Sequence, residues 1–184
     1  MGIFWRTEGW RRAVPQTLWR SYIASLAAPL LLAPAITGAG SRPPNGQATP
    51  YLLSQASTSQ LATLLGLINT ERQQIGAPAL VLSPQLVTAA QGHAQDMAHS
   101  HRLSHSGSNG SSLQARIDAT GYTWAAIGEN VAMGQPNPAA VMEAWMNSPG
   151  HRQNILNPNF TELGLGYAEQ AGEPYWVQVF GKPL

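Results

Sequence analysis

The stretch Ala144-Trp145-Met146-Asn147-Ser148-Pro149-Gly150-His151-Arg152-Gln153-Asn154-Ile155-Leu156 reads as the end of one helix, a sharp break, and a short second helix. Ser148 suits the N-cap, where a hydroxyl can accept from an exposed amide of the first turn. Pro149 suits the first helical position, where a missing N–H costs nothing. His151 then falls within the first turn, at the positive end of the helix dipole. A positive potential there disfavours imidazolium, so the spacing predicts a neutral His151 with a nitrogen lone pair free for a metal or a proton. Asn157-Pro158 ends the helix.

Upstream, Asn137-Pro138 carries a cap-plus-proline signature for the preceding helix, with Val141 and Trp145 on its inner stripe. Glu143 lies about 200° round from Val141 at ~100° per residue and is expected to face water. Before that helix, Gly128-Glu129-Asn130-Val131-Ala132-Met133-Gly134 reads as a short strand bracketed by glycines. Glu129 opens it in an apolar context, so its carboxylate is either ion-paired structure or a working group. Downstream, Leu163 to Ala168 and Tyr175 to Phe180 read as two strands joined by a turn containing Gly172. Alternation puts Tyr175, Val177 and Val179 on one face and Trp176, Gln178 and Phe180 on the other.

Toward the N-terminus the pattern is helical. From Ser57, Leu61, Leu64, Leu65 and Ile68 form one apolar stripe, which Gly76-Ala77-Pro78 breaks. Ser83-Pro84 opens a second helix with Leu86, Ala89, Ala90, His93 and Met97 along its buried face, and His93 there reads as a core histidine. His99, His101 and His105 follow within seven residues, and such clusters can bind metal. Two or more of them are expected at the surface. His105, entering a Gly/Ser/Asn loop, is singled out. Ser111 to Thr120 makes a short helix ended by Gly121. The order of helices, strand, helix and hairpin predicts an α+β domain with an antiparallel sheet covered by helices.

Composition sets bounds. The 184 residues are 43% hydrophobic and 10% charged, with no cysteine. That suits one domain plus an appendage and excludes disulfides and Cys-based zinc sites. Of 10 basic and 9 acidic residues, four arginines (Arg6, Arg11, Arg12, Arg20) and Glu8 lie within residues 1–39. The remaining six basic and eight acidic residues form no basic stripe, which argues against nucleic acid as a partner. Residues 1–39 read as a signal peptide, with a basic n-region, an apolar run from Tyr22 to Ile36 and an Ala33-Pro34-Ala35 cleavage pattern. The run is shorter than the ~20 residues a membrane span needs, and an uncleaved N-terminal anchor is the rival reading. Residues 40–56 are Pro/Gly/Ser-rich and read as a flexible linker, leaving 57–184 as the folded domain.

Taken together, the ordered pieces resemble the CAP superfamily (cysteine-rich secretory, antigen-five and pathogenesis-related proteins, also called SCP-like). The resemblance is to its bacterial, cysteine-free extracellular branch. It rests on Leu67-Ile68-Asn69-Thr70-Glu71-Arg72, His93-Ala94-Gln95-Asp96-Met97-Ala98, Leu103-Ser104-His105-Ser106, Gly121-Tyr122 and Gly128-Glu129-Asn130-Val131-Ala132. The run Ala144 to Leu156 and the closing Tyr175-Trp176-Val177-Gln178-Val179-Phe180-Gly181 complete it. The resemblance implies a three-layer α-β-α sandwich with a small antiparallel sheet. It also implies a cavity lined by two histidines and two acids, which in some relatives bind a divalent metal. By position these are His105, His151 and Glu129, and Ser148 stands where the second acid would be.

Three readings of that site follow. In the first, His105 and His151 bind zinc or another divalent metal, and with Glu129 form a metal-dependent hydrolase that activates water. In the second, the domain is a secreted module that binds metal, sterol, lipid or another small ligand. Asn130, Trp145, Ser148 and Gln178 then belong to the cavity wall, with apolar surface from Trp176 and Phe180. In the third, the His/Glu cluster is a structural polar network. The expected protein is a monomer outside the cytoplasm, in the periplasm, cell envelope or medium, with no transmembrane helix after processing.

Overall fold

The computed structural model describes residues 50–184, with side chains from residue 57 onward. The segment expected as signal peptide or anchor lies outside the described residues, as do residues 40–49 of the expected linker. Helix α1 spans Pro50–Gln74, so regular backbone begins seven residues before Ser57. Leu64 and Ile68 of its stripe are fully buried. Gly76, at φ 72°, ends the turn that follows. A two-residue strand β1 (Val81–Leu82) leads into α2 (Pro84–Ser100). Then come α3 (Leu113–Asp118), β2 (Trp124–Met133), α4 (Pro138–Asn147), α5 (Pro149–Leu156), β3 (Glu162–Gln170) and β4 (Glu173–Pro183).

The four strands form one sheet in the order β1-β3-β4-β2. The β3–β4 hairpin and the β2–β4 pair are antiparallel, and their register sets Asn130 opposite Gln178 and Gln178 opposite Leu165. The sheet departs from a purely antiparallel one at its edge, where β1 pairs in parallel with Glu162 and Leu163. Alternation alone could not reveal β1, since both its residues are exposed. β2 is also longer than the expected glycine-bracketed segment, starting at Trp124.

Helix α2 lies on one face of the sheet. Its Leu86, Ala89, Ala90, Ala94 and Met97 join Tyr175, Val177, Val179 and Val131 in one buried cluster. The contact is close enough to bring backbone onto backbone. A Cβ added at Gly164 would overlap the Leu86 carbonyl, and one at Gly166 would overlap that of Ala90. Those two strand positions therefore admit only glycine while α2 stays where it is. The other face of the sheet carries α1, α4 and α5, completing a three-layer α-β-α sandwich. Trp145, Trp176 and Phe180 are fully buried. Phe180 stacks on Phe160 at 5.5 Å between ring centroids, and Trp176 meets Tyr167 edge-on at 4.5 Å.

Arg72 ties α1 to the far end of α5. It is fully buried. Its Nε donates to Pro78 O at 2.8 Å. Its Nη1 donates to Ile155 O at 2.7 Å and Asn157 O at 2.9 Å, and its Nη2 to Phe160 O at 2.9 Å. A guanidinium at the carbonyl-rich end of a helix meets the negative end of its dipole. The free edge of β2 is covered from the same layer. Trp145 Nε1 donates to Val131 O at 3.3 Å and Asn154 Nδ2 to Glu129 O at 3.2 Å. Side chains thus occupy carbonyls that would otherwise invite another strand.

Candidate functional site

The site is assembled from the loop after α2, the short helix α3, the middle of β2 and the first turn of α5. Glu129 points to the side of β2 where α2 and α3 lie, and only 2% of its side chain is exposed. Its two oxygens are both engaged. Oε1 accepts from His105 Nδ1 at 2.8 Å. Oε2 accepts from Arg116 Nη2 at 2.6 Å. Arg116, 11% exposed, also donates through Nη1 to His105 O and Ser111 O, each at 3.1 Å. A buried carboxylate needs such company, since an unpaired charge there would cost several kcal/mol.

The His105 ring is 61% exposed although it hangs from this buried pair. Because a carboxylate can only accept, Nδ1 carries the proton and Nε2 of the neutral ring holds the lone pair. The Glu129 hydrogen bond raises His105 above the usual imidazole range, against a smaller opposing effect of burial. One residue earlier, Ser104 O accepts from His93 Nε2 at 2.8 Å. His93 is buried, as its position on α2 predicted, and burial holds it below the usual imidazole range. Its Nδ1 has no hydrogen-bond partner among the described residues, though the Asp96 carboxylate lies 4.0 Å away.

His151 sits in the first turn of α5, half-buried. Burial lowers it below the usual imidazole range, and the nearby His105 charge lowers it further. Neutrality was expected from the helix dipole; desolvation and a neighbouring imidazole are the main causes. Among the described residues its ring makes no hydrogen bond or ion pair. Its backbone is anchored from below, where Asn130 Nδ2 donates to His151 O at 3.1 Å. Asn130 also donates to Gln178 Oε1 at 2.8 Å and accepts from Asn154 Nδ2 at 2.9 Å.

Of the residues singled out from sequence, His105 and Glu129 are brought into direct contact, and His151 is close enough to feel the charge of His105. Asn130 and Gln178 are fully buried in the amide network under α5, and Trp145 in the core. Asn130 reaches the site through the His151 carbonyl and Gln178 through Asn130, whereas Trp145 bonds only to Val131 O. Ser148 is the N-cap of α5 by its backbone angles, but its hydroxyl makes no capping bond. The expected role of that hydroxyl is corrected. Sequence reading placed Arg116 on α3 without giving it a role. The available signal was elimination, because Glu129 in an apolar strand needs a cation and residues 40–184 contain only six.

The donor set defines what metal chemistry fits. Among the described residues no three His, Asp or Glu side chains are grouped to hold one ion. Glu129 is occupied on both oxygens and neutralised by a guanidinium, so it does not fit as a direct ligand. By donor chemistry alone, the imidazoles of His105 and His151 are the groups that fit. Both offer a lone pair, and a carboxylate behind Nδ1 is the arrangement that orients metal-binding histidines. A bound divalent ion would supply Lewis acidity there, with two protein ligands where catalytic zinc usually has three.

The profile of the family described as "CAP: Cysteine-rich secretory protein family" matches residues 65–180. The chain is 40% identical over 114 residues to the uncharacterized protein YkwD of Bacillus subtilis (strain 168), a match covering 62% of this chain and 44% of YkwD. It is 31% identical over 125 residues to the uncharacterized membrane protein YlbC of the same organism, covering 68% of this chain and 35% of YlbC. The chain therefore spans less than half the length of these relatives. Among solved structures it resembles an extracellular SCP-domain protein from Bacillus anthracis, with TM-score 0.69 and 29% identity over 74% of this chain and 45% of that one. An outer surface protein of Borrelia burgdorferi shares the fold, with TM-score 0.65 and 21% identity over 70% of this chain and 96% of that one. With the family profile covering well over half of the sequence, the chain belongs to the CAP (cysteine-rich secretory protein) family, although it contains no cysteine.

Proposed function

We propose that this CAP domain is an extracytoplasmic binding module whose ligand-accepting groups are the imidazoles of His105 and His151, with a divalent metal ion as the ligand. One observation carries the reading. The His105 ring is largely exposed, yet its Nδ1 is fixed at 2.8 Å to a buried carboxylate, which leaves Nε2 as an outward-facing donor. The placement outside the cytoplasm is supported by the extracellular and outer-surface proteins that share the fold. It also agrees with the signal-like pattern of residues 1–39. Among the described residues no helix is long and apolar enough to cross a membrane.

The geometry favours binding over hydrolysis. A general base must be free to take a proton, and Glu129 already accepts from both His105 and Arg116. The sterol or lipid reading has less support, because Trp145, Trp176 and Phe180 are enclosed in the core. Calorimetric titration of the full chain with zinc is the test. Wild type should bind one ion per chain, and His105→Ala and His151→Ala should each lose that binding. Equal binding by wild type and both variants would overturn the assignment.

A further inference from the structure

We infer that Arg116 is the positioning residue of this site: by holding Glu129 and the loop of residues 105–111 together, it fixes His105 with Nδ1 protonated and Nε2 facing outward. The inference rests on the binding reading above for its consequence, though not for its geometry.

One guanidinium carries the whole arrangement. Nη2 holds Glu129 Oε2 at 2.6 Å, which leaves Oε1 aimed at His105 Nδ1. Nη1 holds the backbone of that same histidine at 3.1 Å and closes the loop through Ser111 O at 3.1 Å. The acceptors come from two separate segments, the strand β2 and the loop after α2. Ser112 caps α3 by accepting from Ala115 N at 3.1 Å, so the helix that presents Arg116 is itself fixed to the loop it organises. On the other flank, His93 Nε2 grips Ser104 O at 2.8 Å. The His105 backbone is thus held at its own carbonyl and at the one before it, and its ring at Nδ1. Without Arg116, Glu129 would keep a buried charge with a partly solvated imidazole as its only partner. The carboxylate would then turn toward water and release the ring. Lysine can replace this function only in part, because an ammonium lacks the planar fork that reaches a carboxylate and two carbonyls together.

The test combines ring ¹⁵N spectroscopy of the full-length chain with zinc titration. At a pH where the rings are neutral, wild-type His105 should report the Nδ1–H tautomer. In Arg116→Gln it should relax toward the Nε2–H form that a free imidazole prefers in water, while His151 stays unchanged. Zinc affinity should fall by about tenfold to a hundredfold, the range seen when the partners that orient metal-binding histidines are removed. A folded Arg116→Gln protein with the His105 tautomer unaltered overturns the inference. So does an equal disturbance of His105 and His151, which would mark a general loosening. If Arg116→Gln does not fold, Arg116→Lys serves instead. It should show the same tautomer change to a smaller degree, and an unchanged tautomer there is equally fatal. The two claims separate cleanly. Tautomer loss in a protein whose wild type binds no zinc sustains the positioning role and ends the metal reading. Zinc binding with an unmoved tautomer does the reverse.

Discussion

Arg72 and Arg116 are both withdrawn from water, yet they are used in opposite ways. Arg72 has no carboxylate among its partners and gives four hydrogen bonds to backbone carbonyls, three at or just after the end of α5 and one to Pro78 in the loop after α1. Arg116 faces a buried carboxylate whose other oxygen is bonded to an exposed imidazole. The first arrangement contains no group that titrates near neutral pH. The second includes His105 and has His93 beside it, both with protonation set by their surroundings. The lesson is that a buried charge satisfied by backbone fixes the fold, while one satisfied by ionisable side chains couples the fold to its surroundings.

The largest effect expected from this contrast comes from removing the backbone-bound arginine. Arg72→Ala opens a cavity and strips partners from four carbonyls, and we expect a loss of roughly 3–5 kcal/mol. Arg72→Lys should recover only part of it, since an ammonium cannot reach that many separated acceptors. Urea denaturation at pH 7.5 and pH 5.5 would check both points. The loss should be the same at the two values, because no titrating partner is involved. A loss under about 1 kcal/mol would reduce Arg72 to an ordinary surface-type residue.

The polar corner should instead show its pH dependence directly. His93 is held below its unfolded value, so the unfolded chain binds the proton more readily. Its contribution is present above the unfolded pKa of about 6.5 and is lost as pH falls below that toward the folded value. His105 has the opposite sign. Its raised pKa adds stability at low pH that disappears as pH rises through the folded value. Its ring is 61% exposed, so solvent screening leaves that contribution small. The groups acting on His93 are Glu129, Arg116 and Asp96, and the Asp96 carboxylate lies 4.0 Å from Nδ1. Wild type should therefore be less stable at pH 5.5 than at pH 7.5. His93→Gln, which can still donate to Ser104 O, should flatten that slope. An unchanged slope in the variant would remove His93 from the account.

How much of this was visible in the sequence differs between the same two regions. The buried face of α2 was legible because Leu86, Ala89, Ala90, His93 and Met97 recur at helical spacing, and the hairpin because its strands alternate. The family motif drew attention to Arg72, but not to its task. Its acceptors at Ile155, Asn157 and Phe160 are more than 80 residues away and offer only backbone, which leaves no trace in side-chain chemistry. Gly164 and Gly166 read as strand residues; their need to be glycine depends on where α2 comes to rest. Glu129 and His105 were legible as polar groups in unusual settings, whereas Arg116 was hidden in a short helix with nothing local to distinguish it. Trp145, Trp176 and Phe180 were legible as apolar. Pattern alone does not separate a core from a cavity wall.

Helix α5 joins the two regions, and its ends provide the smallest and sharpest comparison. Its C-terminal carbonyls are gripped by Arg72, whereas its N-terminal turn carries His151 and is capped by backbone geometry without help from the Ser148 hydroxyl. The preceding helix is different, since Asn137 Oδ1 accepts from Ala140 N at 2.9 Å. Asn137→Ala should therefore cost about 1 kcal/mol, as loss of a working side-chain cap does. Ser148→Ala removes no hydrogen bond and should cost under about 0.5 kcal/mol, the range of neutral surface changes. Both follow from denaturation midpoints at an unchanged m-value. Should Ser148→Ala prove the costlier of the two, its hydroxyl must cap α5 in solution. The turn bearing His151 would then be held as firmly as the end bound by Arg72, and the contrast between the two ends of the helix would collapse.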